Sequence, residues 1–145
     1  MSNKKFLQQK IFPKVKNLGP RDWGKELILA HIPKKLTLKK LIIKKNKKGG
    51  LQYHHKKNEC GFITKGKLKV KFDLGNGILR YKILKKGDRF HFPPGLVHQE
   101  IALTDCEIIE ASTPHFNDRV RVEKKYGQQI NGGLPSTTRK QVKYL

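Results

Sequence analysis

Lys67-Leu68-Lys69-Val70-Lys71-Phe72-Asp73-Leu74-Gly75-Asn76-Gly77-Ile78 is the stretch from which the fold can be read. Leu68, Val70, Phe72 and Leu74 alternate with Lys67, Lys69, Lys71 and Asp73. A period of two puts one face of a strand in a core and the other in water. Gly75-Asn76-Gly77 then supplies the residues that tolerate the positive φ of a tight hairpin turn, so a return strand is expected over 78–84. The same pattern continues outward in both directions. Upstream, strands are expected over 26–31, 36–45, 51–55 and 60–64, and downstream over 89–92, 97–102 and 106–111. Pro33-Lys34-Lys35, the 46–50 turn, Lys85-Lys86-Gly87, Pro93-Pro94-Gly95 and Thr104-Asp105 mark the corners. No long helical pattern precedes Asp118. Many short strands with Gly, Pro and Asn at their corners predict an all-β antiparallel sandwich or barrel, with a jelly roll as the natural arrangement.

At 145 residues the chain is sized for one domain with end segments. The division expected is a basic N-terminal arm over 1–20, lying on the barrel or on a partner, a barrel over 21–127, and a polar, Gly-rich tail over 128–145. No apolar run approaches the roughly 20 residues that span a bilayer. Charges interrupt the first residues where a signal peptide needs an apolar segment, so a cytoplasmic location and no membrane partner are expected. Cys60 and Cys106 stand far apart and outside any Cys-x-x-Cys pair, and they read as two free thiols. The net charge of +22 would attract polyanions. The excess is nearly all lysine, however, is dispersed along the chain and has no aromatic interleaving, so nucleic-acid binding is not the expected role.

Two polar clusters interrupt the strands. In Gln52-Tyr53-His54-His55 the alternation points Gln52 and His54 to one face, and Glu59 is expected to return to that face on the neighbouring strand. In the second cluster a Pro-Gly corner delivers His98 at the start of a strand. Two imidazoles, an amide oxygen and a carboxylate suit Zn, Fe, Mn, Co or Ni. His55 and His91 read as outward-facing or supporting residues, and His31 and His115 as structural.

These clusters resemble the two motifs of the cupin superfamily. Gln52-x-His54, Glu59 and Gly66 fall at the intervals of the first motif, and Gly87, Pro93, Gly95 and His98 at those of the second. Gln52 stands where most cupins have a histidine, and Asn46 replaces the leading glycine. The Gln-x-His pair resembles that of phosphomannose isomerases. Arg21-Asp22-Trp23-Gly24 resembles the Arg-Pro-Trp-Gly that opens the isomerase domain of mannose-1-phosphate guanylyltransferase/phosphomannose isomerase enzymes. Leu51-Gln52-Tyr53-His54-His55 and the segment 118–127 resemble further stretches of it, so the likeness runs from about Arg21 to Gly127.

The resemblance implies a cupin-type jelly roll with one divalent metal ion, zinc first and Mn, Fe, Co or Ni otherwise, held by Gln52, His54, Glu59 and His98. It implies a metal-dependent sugar-phosphate isomerase of mannose-6-phosphate isomerase type working through an enediolate. In that reading Glu110 is the base, Arg121 steadies the oxyanion, and Arg21, Trp23, Lys25 and Lys124 bind substrate. The alternatives are an isomerase or epimerase of a nucleotide-linked sugar or free aldose, and a non-catalytic sugar- or anion-binding module. A dioxygenase is disfavoured by Gln52. The partners implied are a phosphorylated or nucleotide-linked sugar and a second copy in a homodimer. A nucleotidyltransferase half is not expected beside the barrel, since 145 residues leave no room for one and no glycine-rich nucleotide loop precedes it.

Overall fold

The computed structural model describes residues 11–130. Among these the chain forms β1 (Lys16–Arg21), β2 (Gly24–Ile32), β3 (Leu36–Ile43), β4 (Gln52–His54), β5 (Glu59–Lys65), β6 (Lys67–Asp73), β7 (Leu79–Lys85), β8 (Arg89–Phe92), β9 (Val97–Ala102), β10 (Cys106–Ser112) and β11 (Arg119–Arg121). A single 3-10 turn, Glu123–Tyr126, follows. The strands make two antiparallel sheets, ordered β1-β2-β3-β10-β5-β8 and β11-β4-β9-β6-β7, packed as a jelly roll. No helix among the described residues is long and apolar enough to cross a membrane.

The alternation read from the sequence is kept from Lys67 to Phe72 and breaks at the turn, where Asp73 is buried and Leu74 exposed, because Asp73 turns in to cap the turn's backbone N–H groups. Leu68 and Val70 on β6 are buried, and Phe72 packs on the same core with Ile63, Ile108, Leu84 and Ala102. Rows across the first sheet show how the core gives way to a polar end. Leu41, Ile108 and Ile63 form an apolar row, and the next row is Lys39, Glu110 and Gly61. Beyond it lie Thr37, Ser112 and Glu59. Gly61 is needed in its row because a Cβ there would sit 2.2 Å from Cζ of Phe90. With that space open, Phe90 stacks on Phe92 at 4.5 Å and Phe92 on His98 at 4.1 Å. The aromatic column thus supports a histidine at the polar end from below.

Three further features differ from the sequence reading. Part of the expected arm is a strand, since β1 pairs with β2 in a bulged antiparallel register and extends the first sheet. Its Pro20 sits on a sheet edge, where a missing N–H costs nothing. β11 was not expected as a strand, and it adds an edge to the second sheet through Arg119↔His54 and Arg121↔Gln52. Lastly, β4 and β5 belong to different sheets, so Glu59 reaches Gln52 and His54 across the barrel and not from a neighbouring strand. The short 55–58 connection crosses between the sheets, which a hairpin reading of the same turn residues misses. The ends of the expected arm and tail, 1–10 and 131–145, lie outside the described residues.

Candidate metal centre

Strand alternation and register assemble the polar end. Gln52 and His54 are alternate residues of β4, and Gln52 is paired with His98 of β9. Glu59 opens β5 on the facing sheet with its Oε1 3.1 Å from Nε2 of His98 and 3.6 Å from Nε2 of His54. The candidate ligand atoms of these three buried residues lie within 4.8 Å of one another. The remaining ring nitrogens are engaged. Nδ1–H of His54 donates to Oδ1 of Asp118 at 3.0 Å, and Nδ1–H of His98 to the Leu96 carbonyl at 3.0 Å. Both imidazoles therefore turn Nε2 inward, as histidines held by a carboxylate or carbonyl do at metal sites. Gln52 Oε1 is buried with no hydrogen-bond partner, a cost that a cation would relieve. The four residues fit a divalent metal ion of the nitrogen- and oxygen-liganded kind.

Asp118 holds this geometry. Its Oδ2 accepts backbone N–H bonds from Lys56 at 2.7 Å and Lys57 at 2.8 Å while Oδ1 orients His54. One carboxylate thereby fixes both a candidate ligand and the turn that returns the chain to Glu59. Asp118→Ala is expected to weaken metal affinity on the order of 10–100-fold, read by competition with a chromophoric chelator. Unchanged affinity would show that His54 needs no such support.

The electrostatics follow from burial and pairing. Burial disfavours the Glu59 carboxylate, but Lys57, whose Nζ is 3.1 Å from Oε2, and His98 outweigh it and hold the carboxyl well below its usual range. Burial also acts against charge on His98, yet the bond to Glu59 leaves its pKa raised. His54 is lowered, chiefly by burial. Glu110 is pushed well above the usual range by burial and by the Glu59 charge, and Glu100 to about 7 by the same two causes.

All of these groups line one cavity of about 130 Å³, together with Trp23, Lys39 and Arg119. Of the other residues expected at the site, Glu110 and Trp23 are on its wall. Arg121 is hydrogen-bonded to Glu123, its Nε 2.7 Å from Oε1. Arg21 is buried against Glu26 at 3.0 Å, behind the cavity, and Lys25 and Lys124 are exposed outside it. His55 and His91 are exposed, His31 bonds Thr37, and His115 lies on the cavity rim. Cys60 is exposed and Cys106 buried, both as free thiols.

Sequence reading missed Glu100, Lys57, Lys39, Asp118 and Arg119. Glu100 was accessible to it, because it follows His98 by two residues on one strand. Lys57 and Asp118 carry no periodic signal, and their places depend on contacts made 61–64 residues away.

Comparison with known proteins places the site in a family. A model of the cupin domain matches residues 40–115, which span every candidate ligand. A germin-like protein of Arabidopsis thaliana, subfamily 1 member 6, is 48% identical over 48 residues, 31% of this chain and 21% of the relative. Among solved structures, the capsular polysaccharide assembling protein CapF from Staphylococcus aureus has a TM-score of 0.65 at 19% identity, over 75% of this chain and 34% of CapF. KdgF from Halomonas sp. has a TM-score of 0.58 at 21% identity, over 73% of this chain and 90% of KdgF. The chain thus spans about a fifth of the germin-like relative and a third of CapF, and its likeness to the solved structures is one of fold. With the two-sheet jelly roll and the inward Gln-His-Glu-His set already in place, the match over residues 40–115 makes this chain a member of the cupin family.

Proposed function

We propose that the chain is a metal-dependent sugar-phosphate isomerase of mannose-6-phosphate isomerase type, with one divalent ion, zinc in the first instance, at Gln52, His54, Glu59 and His98. The observation that carries this reading is that Glu110 and Glu100 add two carboxyl groups to the wall of the ligand-lined cavity, with Glu100 Oε1 buried and unpartnered. When bound, the cation would polarise a substrate carbonyl and its neighbouring hydroxyl. Interconverting an aldose and a ketose requires no outside oxidant. The C2 proton is taken up by a carboxylate and returned at C1, and the hydroxyl proton passes from O2 to O1. Glu110 is assigned the carbon-to-carbon transfer, since it faces the cavity without being one of the four ligands. The anion-holding role moves from Arg121, which Glu123 engages, to Arg119, which lines the cavity.

The test is conversion of mannose 6-phosphate to fructose 6-phosphate by metal-loaded protein. Glu110→Gln is expected to lower kcat by about 10²–10⁴-fold with metal content unchanged, the range of a lost acid–base group. Full turnover in that variant would remove Glu110 from the reaction.

A second reading rests on Lys25 and Lys124 standing outside the cavity, which leaves fewer free cations for a phosphate than the first reading asks for. A free aldose or nucleotide-linked sugar would then be isomerised or epimerised by the same carboxylates. Metal uptake with turnover only on non-phosphorylated or nucleotide-linked sugars would select it. Metal uptake with no turnover on any sugar would leave a binding module.

A further inference from the structure

The β6–β7 hairpin carries a surface that the site does not use. Four large apolar residues within ten positions are exposed: Leu74 at 68%, Ile78 at 58%, Tyr81 at 63% and Ile83 at 50%. Leu74 and Ile78 flank Gly75-Asn76-Gly77 at the tip, where both backbone glycines adopt positive φ. The register sets Tyr81 and Ile83 beside Lys71 and Lys69 on the outer face, and Nζ of Lys69 lies 4.3 Å from the centre of the Tyr81 ring. The next strand adds Ile101 beside Lys69. Lysines alternate with apolar side chains across three strands, an arrangement that the dispersed charge of the sequence conceals.

Among the described residues the charge of the hairpin is strongly one-sided, Lys85 alone among its cations pairing with a nearby acid, Asp88 at 3.9 Å. Between residues 67 and 86 stand Lys67, Lys69, Lys71, Arg80, Lys82, Lys85 and Lys86, and the one acid is Asp73. Asp73 is buried and consumed: Oδ1 accepts from the backbone N–H groups of Gly75, Asn76 and Gly77, and Oδ2 from the Tyr126 hydroxyl at 2.5 Å. The turn is thereby held rigid and the surface left with cations and apolar groups.

We propose that this hairpin docks the protein on an anionic lipid bilayer, Leu74 and Ile78 entering the interface and the lysines meeting headgroup phosphates. Apolar tips set among lysines are the composition of interfacial anchors, and each lysine near an anionic leaflet adds to the attraction. A second copy would bring the same positive charge against Arg80 and Lys82 on the exposed β7 edge. A nucleic acid would want stacking rings, and the protruding groups here are aliphatic apart from Tyr81. β7 and β11 are opposite edges of their sheet, so docking through the hairpin leaves the Arg119 side of the cavity free.

The experiment is co-sedimentation of the full chain with vesicles of phosphatidylcholine alone or mixed with phosphatidylglycerol. Binding is expected to the mixed vesicles only. The charge-neutral change L74S/I78S should weaken it on the order of tenfold. Removing two lysines elsewhere, K34E/K35E, should weaken it less than about twofold, and K69E/K71E considerably more than that. Unchanged thermal melting and metal uptake would confirm that each variant is folded. Failure to bind mixed vesicles, or binding that L74S/I78S leaves intact, overturns the proposal in favour of no docking or diffuse charge attraction. Binding of oligodeoxythymidine that K69E/K71E abolishes, without vesicle binding, would reassign the face to nucleic acid.

Discussion

His98→Ala is expected to abolish stoichiometric metal binding, lowering affinity by at least about 100-fold, since a lost ligand should cost more than the 10–100-fold typical of lost supporting contacts. His98 unites the site: its Nε2 meets Glu59 from the facing sheet, its backbone pairs with Gln52, and its ring rests on Phe92. Because a metal that binds only the folded chain stabilises it by mass action, the wild-type protein at free metal near 100 times its Kd should gain about 2.7 kcal/mol. For a chain of this length that corresponds to a rise in Tm of roughly 5–10 °C over the metal-free form. The variant should show no rise, each protein being compared with its own metal-free state so that the lost ring packing cancels. An equal rise in His98→Ala would place the metal elsewhere.

Gly24→Ala is expected to cost about 3 kcal/mol or more, and to lower Tm by roughly 10 °C in a scanning calorimeter. Two independent penalties coincide at this residue. Its φ is +148°, outside what side-chain-bearing residues readily adopt. An added Cβ would also lie 1.8 Å from the carbonyl oxygen of Ile42. That oxygen belongs to the paired strand and cannot rotate away, as Gly24 and Lys25 are in register with Ile43 and Ile42. The damage should reach the cavity, because Trp23 and Glu26 on either side both line it. A Tm within about 2 °C of wild type would mean that β2 and β3 separate more easily than their register suggests.

The strands were legible wherever burial alternates cleanly, and β6 shows why: each lysine that faces out adjoins a Leu, Val or Phe that faces in. β3 was legible as a strand, but its two faces do not sort by residue polarity. Thr37 and Lys39 point inward and Leu38 does not, because Lys39 is neutralised at 2.6 Å by Glu26 and so tolerates the interior. The candidate donor types at Gln52, His54, Glu59 and His98 could be read from spacing, as could the face shared by Gln52 and His54. β11 could not, since three residues carry too little periodicity to distinguish a strand from a loop.

The sequence by itself determined the fold class and the residue types of the candidate donor set, because period-two burial and turn residues act locally and are written into each short segment. Tertiary structure alone decided that Glu59 faces its partners from the opposite sheet, that Arg119 and not Arg121 lines the cavity, and that Asp118 supports His54. It also decided that Asp73 is hidden while Leu74, Ile78, Tyr81 and Ile83 are displayed among lysines. These depend on which distant strands meet, and the free energy of that meeting is a sum over the whole core that no single stretch of residues contains.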